Sequence, residues 1–168
     1  MANILTVFRI LLIPVFIPTF AKNPFYGLCI FILACITDVL DGYIARKTDT
    51  VTTFGKWADP AADKAMTITV VTVLFISGYV PWYFPLFCII KESLLIIGSI
   101  ITYRKERSRF KGAKAIGKAA MVMTFIAVVA SFFSDVISPW HLNLIWLSIG
   151  FSSASVAYYL RTFLKTPS

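Results

Sequence analysis

The sequence predicts an all-α, polytopic membrane protein of six transmembrane helices, and three observations carry that expectation. The chain has 168 residues of which 58% are hydrophobic, far above the apolar share of an ordinary soluble domain. Its apolar residues fall into six runs near 7–21, 25–45, 56–80, 84–103, 116–136 and 142–163, each close to the roughly 20 residues needed to cross a bilayer. Lys and Arg gather at alternate ends of those runs.

Breakers define the runs in order. Asn23-Pro24 ends the first, Gly78 with Pro81 ends the third, and Ser138-Pro139 ends the fifth, so these three turns are short and nearly uncharged. Between the second and third runs, and between the fourth and fifth, lie longer polar stretches from Arg46 to Gly55 and from Arg104 to Gly112. Ahead of the first run, residues 1–9 carry Asn3 and Thr6 as candidate caps, and a short N-terminal interfacial helix is expected there. The N-terminus lacks a basic region and a small-residue cleavage site, so the first run is expected to be retained. A chain this short leaves little outside the six runs, and a single membrane domain over 1–168 is expected.

The net charge of +8 does not point to nucleic acid, because the basic residues sit at helix ends and not along one polar face. Arg9, Arg46, Lys47, Lys56, Arg104, Lys105, Arg107, Arg109, Lys111, Lys114, Lys118, Arg161 and Lys165 share one set of ends, against Lys22 alone on the other. Both termini are therefore expected to face the cytoplasm. Cys29, Cys35 and Cys88 lie inside apolar runs without metal-ligand spacing and read as small packing residues. Trp82, Tyr83, Phe84 and Trp140 read as an interfacial aromatic belt, and His141 as a solvated residue of the outer surface. Lys91 and Glu92, inside the fourth run, read as an internal ion pair that fixes helix packing.

Of the eight acidic residues, four sit at the end of the second run and the start of the third: Asp38, Asp41, Asp59 and Asp63. Spacings of three and four place each pair on one helix face, and the two helices are antiparallel neighbours across a short loop. Four carboxylates gathered at low dielectric repel one another by several kcal/mol unless a cation neutralises them. All-oxygen ligation without nearby His or Cys favours a hard ion, Mg²⁺, Mn²⁺ or Ca²⁺, over Zn²⁺. Two such ions can clamp the attacking and leaving oxygens of a phosphoryl group. Gly42, Ala45 and Gly55 leave backbone bare beside the carboxylates, and Arg46 offers a planar fork suited to a diphosphate. An ion or proton transporter is the reading from another class, but its site would lie near the bilayer midplane and not beside a basic cytoplasmic loop.

The run Asp38-Val-Leu-Asp41-Gly42-Tyr-Ile-Ala45-Arg46, then eight residues, Gly55, three residues, Asp59, three residues and Asp63 resembles the full signature of the CDP-alcohol phosphotransferases. Eight fixed positions across 26 residues make this a specific match. The resemblance implies a six-helix membrane enzyme with a cytoplasm-facing site, commonly a homodimer, here expected in a bacterial cytoplasmic membrane. It implies that Asp38, Asp41, Asp59 and Asp63 hold two divalent ions, Mg²⁺ or Mn²⁺, that Asp63 is the general base, and that Gly42, Ala45, Arg46 and Gly55 line the CDP site. Asn3-Ile-Leu-Thr6-Val-Phe-Arg9 and Asp59-Pro60-Ala-Ala-Asp63-Lys64 resemble the phosphatidylglycerophosphate synthases of the family and the related cardiolipin synthases. The expected reaction is phosphatidyl transfer from CDP-diacylglycerol to an alcohol with release of CMP. Glycerol 3-phosphate is the first acceptor expected; phosphatidylglycerol, an inositol phosphate and serine are the alternatives. Arg109 and Lys111, in the most basic stretch, are the candidate ligands for an acceptor phosphate.

Overall fold

The computed structural model describes the backbone of residues 2–48, 55–104 and 114–164, and side chains over 8–40, 64–95, 115–159 and at 161. Seven helices and no strand are found among the described residues: α1 (Ala2–Lys22), α2 (Pro24–Thr48), α3 (Gly55–Ile76), α4 (Tyr83–Arg104), α5 (Lys114–Ser131), α6 (Ser134–Ile137) and α7 (Trp140–Leu164). Six of them match the six apolar runs. The seventh, α6, is a single turn at the end of the fifth run. No separate interfacial helix precedes the first run, because α1 is continuous from Ala2. Among the described residues no helix is long and apolar enough to cross a membrane.

The helices form two compact units, residues 1–77 and 78–168. In the first, α1 packs chiefly against α2 and also against α3, while α2 and α3 touch more sparingly. The α1–α2 turn is made by Asn23, whose side-chain oxygen accepts from the Phe25 amide at 2.9 Å while its carbonyl accepts from Tyr26 and Gly27. Pro24 at the first helical position forfeits only an amide that had no helical partner. Gly27 then lets the two helices close, since a Cβ there would stand 2.8 Å from the Phe20 ring and 3.2 Å from its Cα. The core of this unit is three stripes at helical spacing: Leu12, Phe16 and Phe20 on α1, Leu28, Phe31 and Ala34 on α2, and Met66, Val70 and Leu74 on α3. The α3 helix ends before Gly78, whose φ of 82° lies in the left-handed region that glycine adopts without strain.

In the second unit α7 packs against α5 and α4, with α6 bridging α5 and α7. The α5–α7 seam is built of small and hydroxyl side chains: Ala120, Thr124, Ala127 and Ser131 face Ile145, Ser148, Ser152 and Ser155, all buried. Thr124 and Ser152 come within 3.5 Å, and Gly117 lies beside the Tyr159 hydroxyl, so the register steps by sevens in opposite directions. Three of the hydroxyls donate within their own helix, Thr124 to Ala120, Ser131 to Ala127 and Ser148 to Ile145. Such residues bring two backbones close without leaving buried polar groups unpaired.

Two surface expectations are corrected. His141 is not a solvated residue: it sits in the first turn of α7 at 7% exposure, its Nδ1 without a hydrogen-bond partner among the described residues. Of the four aromatic residues read as a belt, Trp82 and Trp140 are exposed but Phe84 is fully buried, and Tyr83 stacks on Trp146 of α7 at 5.0 Å. Large apolar side chains otherwise stand outward on every long helix, among them Leu11, Val39, Ile76, Leu94, Met121 and Phe151.

Candidate functional site

The α1–α2 hairpin sets the height of the first acidic residue. Arg9 lies fourteen residues before Asn23 and Asp38 fifteen after it, so at 1.5 Å per residue both stand about 21 Å from the turn. Arg9 is also on the packed stripe of α1, three positions before Leu12, and Asp38 is four positions after Ala34 on the packed stripe of α2. The two side chains therefore meet: Arg9 Nη2 is 2.9 Å from Asp38 Oδ1.

This pair is unequal. Arg9 is 1% exposed and Asp38 37% exposed, so the guanidinium is enclosed while the carboxylate remains open to approach. The contact is close but not aligned as a hydrogen bond, and Arg9 Nε and Nη1 have no acceptor among the described residues. A buried guanidinium with unused donors is costly, since each unsatisfied group forfeits about 1–3 kcal/mol of hydration. By sequence, Arg9 is one of the basic residues at the helix ends that set the orientation. Its place in the α1 stripe and its near-equal spacing with Asp38 about Asn23 were the signals that would have revealed the pair.

The other candidate residues are placed by backbone. Position 41 follows Asp38 by three on α2, with Gly42, Ala45 and Arg46 in the turns beyond. Gly55 opens α3, and Asp59 and Asp63 lie in its first two and a half turns, where they continue the register of Met66, Val70 and Leu74. The side chains of Asp41, Arg46, Asp59 and Asp63 lie outside the described residues, as do Arg109 and Lys111 entirely. Among the described residues no three His, Cys, Asp or Glu side chains converge. What is described is that α2 and α3, the helices carrying all four Asp positions, belong to one unit and touch.

In the second unit Lys91 Nζ is 3.0 Å from Glu92 Oε1, both nearly enclosed, as the internal ion pair read from the sequence. Lys91 also borders an apolar groove between α4 and α7, formed with Phe87, Ile90, Leu94 and Val156.

Comparison with known proteins agrees with the residue pattern. The family model for CDP-alcohol phosphatidyltransferase matches residues 1–154, a span that takes in the first unit and most of the second. A CDP-diacylglycerol–glycerol-3-phosphate 3-phosphatidyltransferase of Rickettsia felis is 37% identical over 132 residues, covering 76% of this chain and 70% of the relative. A relative of that name from Arabidopsis thaliana, bearing the number 2, is 31% identical over 185 aligned positions, covering 95% of this chain and 77% of its own. One from Wigglesworthia glossinidia brevipalpis is 40% identical over 97 residues, covering 55% and 50%.

Proposed function

The chain belongs to the CDP-alcohol phosphatidyltransferase family, and from that premise we propose that it transfers the phosphatidyl group of CDP-diacylglycerol to glycerol 3-phosphate, releasing CMP. It is an enzyme, a transferase of phospholipid synthesis. The observation that carries the reading is the unbroken signature from Asp38 to Asp63, laid on two touching helices of one unit. The name shared by the relatives supports the acceptor.

The donor set fits a hard divalent ion. Asp38 offers a partly exposed carboxylate whose described partner is a single cation, and three further carboxylates follow within 25 residues on α2 and α3. Asp38, Asp41, Asp59 and Asp63 would hold two ions, Mg²⁺ or Mn²⁺, and when bound these would withdraw charge from the phosphoryl oxygens of the donor. Gly42, Ala45 and Gly55 admit the nucleotide close to the backbone, and Arg46 binds its diphosphate. Asp63 takes the proton of the acceptor hydroxyl as the new P–O bond forms and the bond to CMP breaks. Arg109 and Lys111 bind the phosphate of glycerol 3-phosphate.

The protein works in a membrane. Support comes from the six apolar runs of the sequence and from the apolar side chains that stand outward on the long helices, where water would penalise them and lipid would not. Within this reading the six long helices span the bilayer, the site and both termini face the cytoplasm, the chain is one functional domain, and it assembles as a homodimer.

Purified protein given CDP-diacylglycerol, Mg²⁺ and a panel of acceptor alcohols tests the proposal through CMP release. Release is expected with glycerol 3-phosphate and should cease in excess chelator. Turnover only with phosphatidylglycerol would move the chain to the cardiolipin-forming reaction, and undiminished turnover in chelator would remove the metal from the mechanism.

A further inference from the structure

We propose that Arg9 is the resident counter-cation of Asp38 and competes with a divalent ion for its carboxylate, so that Arg9 sets the ion affinity of the site. The inference rests on the reading of Asp38 as a metal ligand. Two features of the pair distinguish it from a permanent structural bridge. An Arg committed to a carboxylate ordinarily offers two parallel N–H groups, whereas Arg9 brings only Nη2 to 2.9 Å and leaves Nε and Nη1 without acceptors among the described residues. The contact is thus one that another cation can replace.

Exposure gives the exchange its direction. Asp38, 37% exposed, can be approached by an ion from outside, while Arg9, 1% exposed, is enclosed and keeps its charge beside the carboxylate. A fixed positive charge at this separation opposes a second cation strongly at the effective dielectric of a protein. Without an ion, Arg9 offsets the charge of Asp38 and allows α1 and α2 to pack; with one, Arg9 lowers its affinity.

Mn²⁺ uptake by the purified full-length chain in detergent, followed by the paramagnetic resonance of free Mn²⁺, tests this. Arg9→Gln keeps a polar group of similar reach and removes the charge, and its Mn²⁺ affinity should rise by roughly tenfold or more over that of the unmodified chain. Equal or weaker binding by Arg9→Gln, with the unmodified chain binding normally, would overturn the inference and leave the metal reading intact. Absence of uptake by both proteins would overturn the metal reading and this inference with it. Should Arg9→Gln fail to fold, the unmodified chain labelled with ¹⁵N-arginine gives a second readout. The Arg9 Nε–H resonance, identified by its loss in Arg9→Lys, should move as Mg²⁺ saturates the site, and an unmoved resonance at saturation overturns the proposal.

Discussion

Asp63→Asn keeps the size of the side chain and removes its basicity, so it separates proton transfer from binding. With Asp63 as the base, CMP release should fall by roughly 10²–10⁴-fold while CDP binding is largely retained. With Asp59 as an ion ligand, Asp59→Asn should lower donor affinity and turnover together. Equal loss of CDP binding in both variants would make Asp63 chiefly a ligand. Lys91 and Glu92 invite a different comparison, because both are nearly enclosed and 3.0 Å apart. Removing Lys91 takes from the Glu92 carboxylate the cation 3.0 Å away, whereas neutralising both side chains removes the need for that cation. Lys91→Met should therefore lower the midpoint of thermal unfolding more than the double change Lys91→Met with Glu92→Gln; the reverse order would show that the pair does not act as a unit.

At the scale of elements, the α1–α2 hairpin depends on local rules that are visible in the residues. Asn23 caps, Pro24 starts the helix, and Gly27 gives room to Phe20. Gly27→Ala places a methyl 2.8–3.2 Å from Phe20 atoms that include its Cα, so the helices must separate. A loss of about 1–3 kcal/mol is expected, read from unfolding of the detergent-solubilised protein. On the α5–α7 seam, Ser148 is 1% exposed and bonded within its own helix. Ser148→Leu adds volume where there is none and should destabilise by a similar amount, about 1–3 kcal/mol; an unchanged midpoint would mean the seam is looser than its burial indicates. The seam was not read from the sequence, because serines at spacings of three and four look polar until a facing helix of small residues is known.

For the whole molecule, the charge asymmetry sets the expected orientation. A single cysteine placed at position 168, in a chain whose own cysteines are replaced, should react with an impermeant label only after the cytoplasmic face is opened. Labelling from the outer face of intact cells would reverse the orientation and place the basic loops outside. The same labelling with the single cysteine at position 2 instead tests the six-span reading, since an odd number of spans would put the two termini on opposite sides. The six long helices were legible because apolar run length and breaker positions are properties of the chain alone: Asn23-Pro24 and Gly78 stand where helices end. The short α6 was missed because a four-residue turn carries no periodicity.

The sequence by itself determined the helical class, six of the seven helices found among the described residues, the acidic signature from Asp38 to Asp63 and the family that signature belongs to. Each of these is written in spacing along the chain, which survives without knowledge of any neighbour. Only the tertiary structure decided that Arg9 is enclosed against Asp38, that His141 and Phe84 are buried, and that α5 meets α7 through hydroxyls. Burial is a relation between a side chain and the helix opposite, and a charge or hydroxyl that reads as surface in one dimension becomes interior when that helix brings it a partner.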